Sequence, residues 1–341
     1  MKKLVTLLAV CLATACLCSC GKATFRSAAL KHGFRTGMAI TPGDLYDETC
    51  QKIIKNDCNI LVYENNMKFG NLRPNKKFWN WSDIDLLIKF AKENNMRVKF
   101  HTLFWHQQNP PFLSSSWTRD EALAVMDEHI TTILSRYKGI ISEYDIVNEM
   151  FNEDGTMREN IWYKTVGPDY IEHALIKAHE VDPEAKLYLN EYTNEEKGHP
   201  KADAMYNFVK DLKERGVPID GVGMQLHLDT TIPWNEEAIR ENLERYNDLG
   251  IEISFSELDI RIPTGENSSE HEKIQNEMYR AMYRLAGKMP NVKSVILWGI
   301  SDKHSWVPST FAGKGAALLY DNKMQPKPVY SDIFKDLSKK M

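Results

Sequence analysis

Short apolar runs alternate with longer mixed stretches along most of the chain. The runs fall at 34–40, 59–62, 97–102, 144–149, 186–189, 221–224, 252–255 and 292–298 and are rich in Val, Ile, Leu and Phe. Apolar runs this short suit strands buried on both faces of a parallel sheet. In the stretches between them apolar residues recur at i, i+3 and i+4, as at Ile84, Leu87, Ile88 and Ala91. That spacing predicts helices over 44–56, 81–94, 119–137, 169–180, 202–215, 236–249 and 271–288, with a closing helix over 329–339. Eight strand–helix units with no ninth strand predict an α/β fold. A closed (β/α)8 TIM barrel in a single domain is expected rather than an open doubly wound sheet. No internal repeat, low-complexity tract or Pro/Gly/Ser-rich linker interrupts the alternation.

The first residues follow a different pattern. Lys2-Lys3 precedes an apolar stretch from Leu4 to Leu17. That stretch is shorter than the roughly 20 residues a membrane span needs. Residues 1–19 are therefore expected to be a removable export signal. Leu17-Cys18-Ser19-Cys20 resembles a bacterial lipobox, which implies that Cys20 becomes a lipidated N-terminus. Two or more acyl chains would anchor the protein stably to a membrane. The resemblance implies a cell-envelope lipoprotein, periplasmic or on the outer surface. An ordinary signal peptide cut nearby, releasing a soluble protein, is the alternative. Residues 20–32 are expected to be a tether, and 33–341 the folded domain.

Composition narrows the function classes. The formal net charge is −4, and becomes two units more negative once Lys2 and Lys3 are removed. No basic run or clustered Lys/Arg face suggests nucleic acid. Of six cysteines only Cys50 and Cys58 lie in the body of the chain. An exported protein could join them, but one sits on an expected helix and the other opens a strand, so a buried free pair is expected. No Cys/His cluster has zinc spacing. No cofactor or metal is expected, although a structural calcium stays open. A monomer is expected.

The polar residues concentrate where strands end. In a (β/α)8 barrel those ends share one face and line the active site. The second strand leads to Glu64, Asn65 and Lys68, and the third to His101, Trp105, His106 and Gln108. The fourth ends in Asn148 and Glu149, the fifth in Asn190, Glu191 and Tyr192, and the sixth in Gln225 and His227. The seventh leads to Glu257, Asp259 and Arg261, and the eighth to Trp298, Asp302 and Trp306. The first strand adds no obvious polar group. Stability alone would favour apolar packing at these positions. Indoles that stack on sugar faces, amides that read hydroxyls and two carboxylates across a barrel suit glycoside hydrolysis.

The chain also resembles glycoside hydrolase family 10, the endo-β-1,4-xylanases. The resemblance rests on Glu64-Asn65-Asn66-Met67-Lys68, the run from His101 to Gln108, Val147-Asn148-Glu149 and Gln225-Leu226-His227-Leu228. It continues through Ser256-Glu257-Leu258-Asp259-Ile260, Trp298-Gly299-Ile300-Ser301-Asp302, Ser305-Trp306 and Gln325-Pro326-Lys327-Pro328. These segments keep the family's order across roughly residues 34 to 335. The resemblance implies xylan and xylo-oligosaccharides as substrate. Cleavage would retain configuration, with Glu149 as acid/base and Glu257 as nucleophile, their carboxyl groups about 5–5.5 Å apart. It also implies that His227 and Asp259 support the nucleophile. Glu64, Asn65, Lys68, His101, Trp105, Asn148, Gln225, Trp298 and Trp306 would line the glycone side, with Asn148 on the sugar 2-hydroxyl.

Some of these residues also have plainer readings. His227 and Asp259 could be an ordinary buried pair, and Trp105 could be core. Tyr192 reads either as an acceptor-side platform or as a loop aromatic. Three positions depart from the family pattern: Phe69 where Trp is usual, Phe100 where Gly is usual, and Glu191 where Asp is usual. They put the acceptor and distal subsites in doubt. Two rival functions remain at this level: a retaining β-1,4-glucanase of a related barrel, and a non-catalytic xylan-binding lipoprotein. Lys68 and the two late tryptophans favour xylan by resemblance, because they crowd the space a hydroxymethyl group would need.

Overall fold

The computed structural model describes residues 23–265 and 268–339. Eight parallel strands close into a ring, as the periodicity predicts. They are β1 (Arg35–Ile40), β2 (Ile60–Tyr63), β3 (Arg97–Phe104), β4 (Glu143–Asn148), β5 (Lys186–Glu191), β6 (Gly221–Met224), β7 (Glu252–Pro263) and β8 (Val292–Leu297). Each pairs in parallel with the next, and β8 pairs with β1 to close the barrel. Helices follow the strands on the outside, and each buries one stripe. In the helix Ser82–Glu93 the buried residues are Ile84, Leu87, Ile88, Phe90 and Ala91. Full burial of an Ile, Leu or Phe side chain there stabilises the fold by roughly 1.5–3 kcal/mol. The helix Arg119–Tyr137 starts on a reciprocal cap. Thr118 Oγ1 accepts from the Glu121 amide, and Glu121 Oε2 accepts from the Thr118 amide at 2.8 Å.

Two features correct the sequence reading. The expected tether does not extend to residue 32, because Phe25–Lys31 forms a helix capped by Thr24. Phe25 is buried against Tyr283 and Tyr330, and His32 Nε2 lies 2.8 Å from the Leu337 carbonyl. This segment joins the fold because it carries enough apolar surface to close the barrel's first and last elements together. The predicted export signal and Cys20 lie outside the described residues. The seventh strand is also much longer than 252–255. It runs on to Pro263 because two short strands pair with its far half, His227–Asp229 in parallel with 259–261 and Lys314–Gly315 antiparallel to 262–263.

The barrel interior is unusually polar. Lys99, His101, Asp145 and Glu143 are all buried. Lys99 Nζ lies 2.9 Å from Asp145 Oδ1, and His101 Nδ1 lies 3.0 Å from Asp145 Oδ2. Pairing of this kind is what makes buried charge tolerable. Cys50 and Cys58 are buried free thiols. Phe69 and Phe100, which depart from the family pattern, belong to the core: Phe69 stacks on His129 and Phe100 on Tyr144.

Candidate active site

A cavity of about 790 Å³ opens at the C-terminal ends of the strands. Glu64, Asn65, Lys68, His101, Trp105, Asn148, Glu149, Tyr192, Gln225, His227, Glu257, Trp298 and Trp306 all line it. Of the thirteen residues named as catalytic, supporting or sugar-binding besides Asp259, none lies elsewhere. Asp259 is absent from the lining because it is fully buried behind His227. Glu191 and Asp302, read as rim residues, also turn away. Asp302 pairs with Lys327 at 2.6 Å and caps the Leu318 amide.

Glu257 is held in a row of alternating charges. His227 Nε2 lies 3.2 Å from Glu257 Oε2, and His227 Nδ1 lies 3.0 Å from Asp259 Oδ2. The second contact follows from sheet register, since His227 stands directly opposite Asp259 in the short strand pairing. Trp306 Nε1 donates to the same Asp259 oxygen at 2.7 Å. Burial alone would drive the His227 pKa down, but Asp259 and Glu257 outweigh it and raise it to about 10. Burial likewise disfavours charge on Glu257. His101, His227 and Lys68 reverse that and lower its pKa to about 2. Glu257 is therefore a carboxylate, and His227 an imidazolium, across the neutral range.

Glu149 is placed differently. Its backbone takes a left-handed conformation with φ of 56°, so the chain leaves β4 sharply right after Asn148. A non-glycine residue there costs on the order of 1–2 kcal/mol. The turn is held by the Glu149 amide donating to the Asn190 carbonyl at 2.9 Å and by Arg158 Nε donating to the Glu149 carbonyl at 3.1 Å. The side chain lies in the cavity. Its Oε1 accepts from Asn148 Nδ2 and Gln225 Nε2, both at 3.3 Å. His106 Nδ1 stands 3.6 Å from Oε2. Burial, with Arg158 and Lys201 nearby, lowers the His106 pKa to about 4, so that ring is neutral.

A buried amide bridges Glu257 and Asn148, and Asn148 in turn donates to Glu149. Asn190 Nδ2 donates to Asn148 Oδ1 at 2.8 Å and to Glu257 Oε1 at 2.6 Å, while Asn190 Oδ1 accepts from Ser256 Oγ at 2.6 Å. Gly223 on β6 makes room for it, since a Cβ there would fall 1.9 Å from Asn190 Oδ1. Asn148 Oδ1 also accepts from Gln225 Nε2 at 3.1 Å. At the other end of the cavity the Lys68 ammonium lies 4.6 Å from the Trp105 ring centroid and 5.9 Å from that of Trp298. Burial lowers the Lys68 pKa, opposed by Glu257, Glu64 and Glu149. Burial raises that of Glu64, opposed by Lys68.

Sequence reasoning missed several lining residues: Glu153, Arg158, Thr193, Glu195, Thr310 and Phe311. They sit on the loops past the strand ends or, for Thr310, at the end of the short helix Val307–Thr310, and no strand-end pattern marks them. Arg158 returns because Phe151 and Met157 pair in an isolated antiparallel bridge.

The profile of Glycosyl hydrolase family 10 matches residues 24–336. Endo-1,4-beta-xylanase B of Thermotoga neapolitana is 39% identical over 295 residues, covering 86% of this chain and 85% of that protein. Exoglucanase XynX of Acetivibrio thermocellus is 35% identical over 319 residues, covering 89% of this chain and 29% of that longer protein. Among solved structures, xylanase 10B of Thermotoga petrophila in complex with xylobiose aligns with a TM-score of 0.89 and 39% identity, over 93% of this chain and 98% of that one. The barrel, the glutamates just past β4 and on β7 and these matches agree: the chain belongs to glycosyl hydrolase family 10.

Proposed function

We propose that in this retaining endo-1,4-β-xylanase Glu257 is the nucleophile and Glu149 the acid and then the base. In the first step a Glu257 oxygen forms a bond to the anomeric carbon and the glycosidic C–O bond breaks. The proton on Glu149 passes to the leaving oxygen. In the second step Glu149, now a carboxylate, takes a proton from water. The water oxygen bonds to the anomeric carbon, and the ester to Glu257 breaks. Two displacements on one carbon retain its configuration.

The observation that carries the assignment is the contrast between the two carboxyl groups in one cavity. Glu257 faces His101 and Lys68 and touches the His227 imidazolium, which together keep it ionised. Glu149 faces two amide donors and a neutral ring. The bonds from Asn190 and Gln225 that fix Asn148 support its reading of the sugar 2-hydroxyl, a contact that strengthens in the transition state. The cluster of Glu64, Asn65, His101 and Lys68 between Trp105 and Trp298, with Trp306 beside His227, supports a glycone site. Tyr192 supports an acceptor platform. Proton NMR of xylohexaose hydrolysis should show the β-anomer of the new reducing end first, with α appearing only by mutarotation. Initial α product would sink the retaining assignment. The exoglucanase relative makes a second arm worthwhile: xylan should turn over faster than carboxymethyl-cellulose.

We also propose export as a lipoprotein through Cys20, supported by the basic start, the apolar stretch and the lipobox-like residues before it. Mass spectrometry of the mature N-terminus should find an acylated cysteine. An unmodified N-terminus would point instead to a freely released enzyme.

A further inference from the structure

Beneath the acceptor end of the cavity lies an ion pair that the chemistry above does not use. Glu191, the last residue of β5, and Lys201, the second residue of the helix Pro200–Glu214, both have fully buried side chains. Lys201 Nζ lies 3.0 Å from Glu191 Oε1 and donates to Glu153 Oε1 at 3.2 Å. The same ammonium sits 3.1 Å from the centroid of the Tyr192 ring. Glu191 in turn accepts from two backbone amides. Oε2 takes the Phe151 N–H at 3.0 Å, and Oε1 takes the Tyr192 N–H at 3.1 Å.

Phe151 stands two residues beyond Glu149, across the left-handed turn. Arg158 closes the circuit from the other side. Besides its bond to the Glu149 carbonyl, it donates to the Phe151 carbonyl at 3.0 Å and to the Tyr192 hydroxyl at 3.2 Å. The segment bearing Glu149 is thus gripped at three backbone atoms, and each gripping side chain also touches Tyr192.

Fold stability is a poor reason for such a pair. Desolvating two charges costs several kcal/mol per ion, and well-packed apolar residues often serve as well or better. Burial already raises the Glu191 pKa to about 7, with Lys201 and the Phe151 amide opposing. Without the Lys201 charge the carboxylate would give way to the neutral acid, a weaker acceptor for the amide that anchors the turn.

We propose that Lys201 is a positioning residue: through Glu191 it fixes the acid/base Glu149 and the Tyr192 platform as one unit. The seat of the acceptor sugar and the delivery of the proton to its oxygen are thereby coupled. This inference rests on the assignment of Glu149 as acid/base. Lys201 need not touch the substrate, and its loss acts only on steps that require proton transfer.

Leaving-group dependence separates this role from a structural one. Cleavage of xylohexaose requires full protonation of the leaving oxygen. Release of 2,4-dinitrophenolate from its β-xylobioside requires none. Displacing a reacting group by 1 Å can cost on the order of 10²-fold. In the whole protein, Lys201→Met should therefore lose roughly 10²-fold in kcat/KM on xylohexaose and almost nothing on the aryl xylobioside. Equal losses on both substrates, or no loss on either, overturns the proposal. A lone buried carboxylate can unfold a domain, so Glu191→Leu with Lys201→Met is measured alongside, which leaves no charge unpaired. The same selective loss is expected there. Glu149→Ala supplies the reference. If that variant shows the selective pattern and the Lys201 variants do not, only the coupling fails. If Glu149→Ala itself loses both substrates equally, the acid/base assignment fails.

Discussion

Glu257→Ala should lower kcat/KM on xylan by on the order of 10⁴-fold or more, the scale seen when a covalent nucleophile is removed. The loss follows from what the side chain is built to be. Glu257 is 4% exposed, so it cannot be replaced by a bulk anion in the intact protein. Its charge is maintained by His101, His227 and Lys68, and His227 is itself a cation because Asp259 stands behind it. Alanine leaves that cation, the Asn190 amide and an empty volume where the proposed nucleophile stood. The fold should survive, because the ring of paired strands does not depend on this side chain. Far-UV circular dichroism should match the parent. Azide, small and anionic, should enter the space and restore turnover of an activated aryl xyloside. The product should be the α-xylosyl azide, since attack comes from the face Glu257 occupied. Activity within tenfold of the parent, or a β-azide product, would refute the nucleophile role.

Glu149→Ala is the second large effect, and its signature differs. On xylan the loss should be roughly 10²–10⁴-fold, the usual worth of positioned acid–base catalysis. On the 2,4-dinitrophenyl β-xylobioside the first step should be nearly unaffected, because that leaving group departs unprotonated. The second step then limits, since no base activates water. The variant should show a burst of dinitrophenolate followed by slow turnover. Azide should again accelerate the reaction, but here it attacks the glycosyl-enzyme from the opposite face and gives the β-xylosyl azide. Opposite azide anomers from two alanine variants would assign the two roles independently of any rate. A single anomer from both would show that at least one role is misplaced.

The same pair of glutamates shows where sequence reading reaches and where it stops. The strand end Tyr144 to Glu149 carries an apolar run followed by an amide and an acid, and both the strand and its polar end are legible in isolation. Nothing local announces that Glu149 has a φ of 56° or that Arg158 holds its carbonyl. His227 and Asp259 were paired by resemblance, but their contact is a matter of register between a three-residue strand and an extension of β7. That extension lies beyond the apolar run at 252–255, and its partner strand is too short to show a period. Asn190 was read as a rim residue. It is the buried bridge between Asn148 and Glu257, and the bridge depends on Gly223 being glycine one strand away. Phe69 and Phe100 raised doubt about the subsites by departing from the family pattern, yet both are core. The helix Phe25–Lys31 was taken for tether because seven residues are too few for a periodic signal.

What the sequence by itself determined was the barrel, its single domain and the set of polar residues at its mouth. Strand and helix periods arise from neighbours along the chain, and a parallel barrel sends every strand end to one face. Tertiary structure alone decided that Glu257 is a carboxylate and His227 a cation, and what anchors the turn under Glu149. Charge states depend on burial and on partners from other strands, and Glu191, Lys201 and Arg158 meet only after those strands close. No spacing along the chain encodes such encounters, because they are fixed by register and by loops returning over the barrel.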